Sequence, residues 1–89
     1  MRVIHKYVLD PFAPKVSTYE GARFIHATNQ REEITVWAEV NTLARECVRT
    51  LHVVGTGYEP PQQGEYVGTV LMSNGDFVFH IYAEPEATP

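Results

Sequence analysis

The stretch Tyr66-Val67-Gly68-Thr69-Val70-Leu71-Met72-Ser73-Asn74-Gly75-Asp76-Phe77-Val78-Phe79-His80-Ile81-Tyr82 decides the fold. Both flanks of Ser73-Asn74-Gly75-Asp76 are rich in β-branched and aromatic side chains, which fit a pleated, half-buried surface. Asn74-Gly75 supplies the positive φ angles that a type I′ turn requires. The segment therefore reads as a hairpin of two strands, Tyr66–Met72 and Phe77–Tyr82. Phe77, Phe79 and Ile81 alternate with Val78, His80 and Tyr82, so both faces of the second strand are apolar enough for a central place in a sheet.

Working outward, the same period of two recurs. Val3, His5, Tyr7 and Leu9 alternate with Arg2, Ile4, Lys6 and Val8 until Asp10-Pro11, where proline removes a donor and fixes φ. Phe12-Ala13-Pro14 reads as a connection, and Lys15–Tyr19 as a short second strand ending at Glu20-Gly21. Ala22–Thr28 and Glu33–Val40 flank Asn29-Gln30-Arg31-Glu32, which reads as a hairpin loop. Ile34, Val36, Ala38 and Val40 face one way and Thr35, Trp37 and Glu39 the other. Asn41–Glu46 has the residues for one helical turn, with Asn41 or Thr42 as cap. Cys47–Val54 follows as a strand, with Arg49, Leu51 and Val53 on one face and Val48, Thr50, His52 and Val54 on the other. Tyr58–Gly64 carries two prolines and reads as a surface loop. The expectation is an all-β domain over residues 1–83, a small antiparallel sandwich or partly closed barrel of about six strands with at most one short helical turn. Residues 84–89 read as a flexible tail.

Composition narrows the class. At 89 residues, with 44% hydrophobic and 20% charged residues, the chain has the balance of one folded domain. A core this small leaves a thin stability margin, so a homo-oligomer is expected. One cysteine, Cys47, cannot form an intrachain disulfide, which points to a reducing compartment. Neither a signal-peptide stretch nor a membrane span is visible, so no membrane partner is expected. All seven Lys and Arg lie in residues 1–49 beside six acids, whereas residues 50–89 hold five acids and no base. Duplex binding needs several Lys or Arg contacts, so nucleic acid is not expected as a partner.

Candidate chemistry is sparse. His5, His26, His52 and His80 fall in four different strands, without metal-ligand spacing, and read as cross-strand neighbours rather than a zinc site. Cys47 reads as a passive thiol despite Arg45 and Arg49 nearby. Glu32 and Glu33, adjacent in sequence, point apart and cannot share a proton. No cofactor and no catalytic residue follow. The candidate ligand site is Gly55, Thr56, Gly57 and Tyr58, with Tyr66 and His80: two glycines around Thr56 allow backbone N–H groups to form an anion nest, and the tyrosines offer stacking surfaces. A small hydrolase with His80 or His52 as general base is a third-ranked alternative.

His5-Lys6-Tyr7, Phe24-Ile25-His26, Val36-Trp37-Ala38-Glu39-Val40, Val53-Val54-Gly55-Thr56-Gly57, Tyr66-Val67-Gly68-Thr69-Val70 and Phe77-Val78-Phe79-His80-Ile81-Tyr82 together resemble a family of short tailed-bacteriophage proteins, a domain of unknown function. The resemblance implies a phage protein acting in the host cytoplasm and assigns no catalytic residue. With it, the expected function is a non-enzymatic accessory protein that binds and blocks a host defence component, either a defence protein or a small anionic signalling nucleotide. A minor virion or assembly component built by strand-mediated self-association is the alternative.

Overall fold

Alternating apolar residues become strands because each pleated segment can bury only one face at a time. The computed structural model describes residues 1–86, and these form β1 (Arg2–Leu9), β2 (Lys15–Tyr19), β3 (Arg23–Gln30), β4 (Glu33–Asn41), β5 (Glu46–Gly55), β6 (Glu65–Met72) and β7 (Phe77–Ala83). Two antiparallel sheets, ordered β1-β4-β3 and β2-β5-β7-β6, lie face to face as an open sandwich. The strands number seven rather than about six because Lys15–Tyr19 pairs with β5 along its whole length, from Lys15–Thr50 to Tyr19–Glu46. Inside β2, Val16 and Thr18 are buried, and Thr18 Oγ1 lies 2.7 Å from Tyr7 Oη on the other sheet.

Two local expectations change. Asn41–Glu46 is not helical: Asn41 still pairs with Arg2, and its Oδ1 accepts the Leu43 N–H at 3.0 Å, an Asx turn that competes with helix. Among the described residues the helical turn is instead a 3₁₀ turn at Ser73–Gly75. There the pair Met72–Phe77 closes the hairpin, so its loop spans Ser73–Asp76, wider than a two-residue I′ turn, with positive φ at Ser73 (51°), Asn74 (58°) and Gly75 (90°). Conversely, the β3–β4 loop is tighter than the sequence suggests. Gln30 pairs with Glu33, leaving Arg31 (φ 56°) and Glu32 (φ 61°) as the turn.

The core forms where Ile34, Val36, Ala38 and Val40 of β4 meet Leu51, Val70 and Ile81 of the other sheet. Trp37, on the opposite face of β4, is half-buried against the His26 ring at 5.6 Å between centroids. Bulges in β3 and β6 bend both strands together along one side of the sandwich. There a Cβ on Gly68 would stand 3.1 Å from both the N and Cβ of Ala27, so the sheets approach this closely only through glycine.

One end of the sandwich is closed by a charged side chain. Arg49 shares the inward face of β5 with Leu51, and its side chain is only 8% exposed. Its Nη1 donates to Ala22 O at 3.0 Å and its Nη2 to Glu84 O at 2.9 Å, while the guanidinium lies 5.4 Å over the Phe24 ring. Glu86 approaches Arg49 Nη1 at 3.5 Å and accepts the Gly21 N–H at 2.7 Å. The Glu84 carboxylate also accepts from His52 Nε2 at 3.0 Å, and the Glu84 N–H donates to Thr50 O. Thus Glu84 and Glu86, placed by the sequence in a loose tail, are fastened to the sheets, and residues 87–89 of that tail lie outside the described residues.

Candidate functional site

The strand β5 delivers Val54 and Gly55 beside His80 and Phe79 of β7, and β7 sets His80 beside Thr69 of β6. This register gathers most of the candidate site on the outer face of the four-stranded sheet. Val54, Gly55, Thr56, Gly57, Tyr58, Pro60, His80 and Tyr82 surround a shallow pocket of about 250 Å³. His80 is held from both sides: Nε2 lies 2.8 Å from Thr56 Oγ1 and Nδ1 lies 3.0 Å from Thr69 Oγ1. Thr69 in turn shares a hydrogen bond with Tyr66 Oη, so the hydroxyls and imidazole form one chain from Thr56 to Tyr66.

Tyr66 joins the site indirectly. It does not line the pocket, but its ring meets Tyr82 edge-on at 5.6 Å. The Tyr58 ring folds back on Gly55, where a Cβ would come within 3.2 Å of it. Tyr58 is nevertheless 78% exposed and Tyr66 57% exposed, so each offers a broad aromatic face to a partner. Thr69 was absent from the sequence-derived set because its link to His80 depends on the register past the bulge at Val67, which no local pattern announces.

Backbone geometry disfavours the anion nest. The Thr56 N–H donates to Val78 O at 3.4 Å and the Tyr58 N–H to Gly55 O at 3.1 Å, so two of the three N–H groups from Thr56 to Tyr58 are directed into the fold. Gly57 takes φ 94° to complete this turn. Among the described residues no Lys or Arg lines the pocket, so no fixed cation is there to hold an anion.

The remaining chemistry-bearing residues are dispersed. His5 sits edge-on to Tyr7 and Tyr19, His26 faces Trp37, and His52 pairs with Glu84. Among the described residues no group of three or more His, Cys, Asp and Glu comes together that could hold a metal. Burial is the main cause that raises the Cys47 thiol above its ordinary pKa; the Glu86 carboxylate adds to this and Arg49 opposes it. A raised thiol is a poor nucleophile at neutral pH. The Glu32 carboxylate accepts from Asn29 Nδ2 at 3.1 Å and from the Ser73 N–H at 3.1 Å.

At the end of the sandwich opposite Arg49 lies a larger opening that sequence reading missed, because it exists only once two sheets are stacked. The ends of β1, β5 and β6 and the starts of β4 and β7 part over a cleft of about 820 Å³. Leu9, Ile34, Val53, Met72, Phe77 and Phe79 form its apolar walls, and Asp10, Glu32 and Glu33 stand among its lining residues. Phe77 and Phe79 stack with their rings 8° from parallel, and Phe77 is 57% exposed.

No helix among the described residues is long and apolar enough to cross a membrane. Neither a curated protein nor a solved structure matches the chain. A family match does cover it from residue 1 to residue 89. By that match the chain belongs to DUF7352, a domain family of unknown function.

Proposed function

We propose that this chain is a non-enzymatic binding protein that grips a protein partner through the outer face of its four-stranded sheet. The observation that carries this reading is the cluster of Tyr58, Tyr66 and Tyr82 around a His80 immobilised by two threonine hydroxyls. Tyrosines give a large, stiff contact area at small entropic cost, and they are enriched where proteins meet. Glu59 and Glu65 are exposed in sequence beside Tyr58 and Tyr66, and residues 50–89 hold no Lys or Arg, so a basic partner surface is the complementary one. The resemblance to short tailed-phage proteins supports taking that partner to be a host defence protein met in the host cytoplasm. A small anionic nucleotide finds less support, since the pocket has no cation and its turn N–H groups are largely taken.

Co-elution from host lysate tests this, followed by titration of the recovered partner. A single host protein should bind in fixed stoichiometry, and Tyr58→Ala and Tyr66→Ala should each weaken it by roughly tenfold or more. Unchanged binding in the double variant, tight binding of a mono-, di- or cyclic nucleotide, or repeated turnover of any substrate would overturn the reading. The second reading, a virion or assembly component, draws on Ile4 and Val8, exposed on the edge strand β1 where self-pairing could start. Mass spectrometry of purified virions separates the two: abundance comparable to tail or capsid proteins would favour assembly.

A further inference from the structure

We propose that the apolar cleft between the sheet ends is a second binding site, one that receives apolar side chains of a protein segment flanked by Lys or Arg. It rests on the reading that the chain binds protein, and it adds a distinct surface and a chemistry for what enters there. The walls supply the apolar part. Phe77, Phe79 and Met72 lie on the β6–β7 side, and Leu9 and Ile34 on the β1–β4 side, around a volume of about 820 Å³, room for a few apolar side chains. A solvent-exposed aromatic such as Phe77 at the mouth of such a cleft is a ready anchor for a partner.

The rim supplies the charge preference. Asp10, Glu32 and Glu33 are among the lining residues and no Lys or Arg is. A carboxylate-headed ligand such as a fatty acid would meet like charge there, whereas a segment carrying ammonium or guanidinium groups beside its apolar residues would be drawn in.

A separate observation points to the same end. Among the described residues, the non-glycine positions with positive φ are Arg31, Glu32, Ser73 and Asn74. They occupy two turns, and the Glu32 carboxylate accepts the Ser73 N–H, joining those turns beside the cleft. Positive φ at both central residues is what a two-residue hairpin turn such as Arg31-Glu32 requires, and the Glu32–Ser73 bond fixes that turn against its neighbour. Asn29 adds to the brace: its Nδ2 also donates to Leu71 O at 3.0 Å and its Oδ1 accepts the Glu32 N–H at 2.8 Å. On the β1 side the chain after Leu9 is likewise held, with the Ala13 N–H on Asp10 O and the Lys15 N–H on Ala13 O. With Asp10 Oδ1 accepting the Phe12 N–H at 2.9 Å and the Glu32 carboxylate held by Asn29 and Ser73, two carboxylates of the rim are positioned before any partner arrives, which lowers the ordering cost of binding.

Two synthetic peptides test the site, one with a Leu-Phe-Leu centre between pairs of lysines and one with the same centre between pairs of glutamates. Binding is followed by the NMR signals of the Met72 methyl and the phenylalanine rings. The lysine peptide should shift Met72, Phe77 and Phe79, and should bind roughly tenfold more tightly than the glutamate peptide. Phe77→Ser, at a half-exposed position, should keep the fold and reduce that affinity by roughly fivefold or more, and Glu33→Lys should erase most of the preference. No shift at these residues with either peptide, or equal affinity for both, would overturn the proposal. A host protein bound through Tyr58 and Tyr66 by a chain whose cleft ignores both peptides would refute the cleft and spare the outer face. Peptide binding in the cleft with no host protein captured would do the reverse.

Discussion

The two ends of this sandwich solve the same problem in opposite ways. At the Arg49 end the sheets are bridged by a guanidinium that reaches backbone oxygens of Ala22 and Glu84, and the chain beyond β7 folds across it through Glu86. At the Phe77 end the sheets part, and apolar walls stay open to solvent beneath an acidic rim. A buried charge costs desolvation unless it is well paired, so the closed end is held by geometry as much as by apolar contact. The open end keeps exposed apolar surface that solvation alone would disfavour. On our proposal the closed end serves integrity, and the open one adds a second recognition surface to the outer face of the four-stranded sheet.

That assignment can be broken first at Arg49. Arg49→Ala should lose about 3 kcal/mol in urea unfolding, because two carbonyl oxygens lose their donor and a gap opens above Phe24. A loss under about 1 kcal/mol would place the integrity of the fold elsewhere. Next comes the side of the sandwich where the sheets touch: Gly68→Val forces a side chain against Ala27 and should cost about 1–3 kcal/mol by the same measurement.

The open end should respond in the other sense. Arg31→Asn replaces a residue poorly suited to positive φ and should raise stability by about 0.5–1 kcal/mol in thermal unfolding. Phe77→Ser should change it by no more than about 0.5 kcal/mol while weakening the lysine peptide. A large destabilisation from Phe77→Ser would make the cleft part of the core rather than a site.

The smallest effect is chemical. With its pKa raised by burial first and by Glu86 second, Cys47 should alkylate more slowly near pH 8 than an unperturbed thiol, since less of it is thiolate. Glu86→Gln removes one of the raising charges and should speed the reaction. An unchanged rate would mean that Glu86 is not held beside the closed end in solution.

Strand positions were legible because alternation survives in the sequence: β1, β4, β5 and β7 all carry it, and β7 has the central position that its two apolar faces indicate. Which face turns inward was legible for Ile34, Val36, Ala38 and Val40, where the other face mixes Thr35 and Glu39 with Trp37. It was not legible in β5. The alternation groups Arg49 with Leu51 and Val53, yet nothing local says that an arginine sits on the inward side, because its partners Ala22 and Glu84 are 27 and 35 residues away. Turn geometry failed for a related reason: Arg31-Glu32 has no left-handed preference of its own, and Glu32 is braced by Asn29 and by the distant Ser73. The candidate site was readable where one strand end supplied it, Gly55 to Tyr58, and unreadable where register did, at Thr69. The cleft belongs to neither sheet alone, so no single segment could reveal it.

Native mass spectrometry of the chain mixed with the host protein it captures tests the central claim most directly. A complex of fixed stoichiometry in which both masses equal those of the free proteins is the predicted result. A partner that is cleaved or covalently altered by substoichiometric amounts of the chain, or the absence of any complex, would contradict the account.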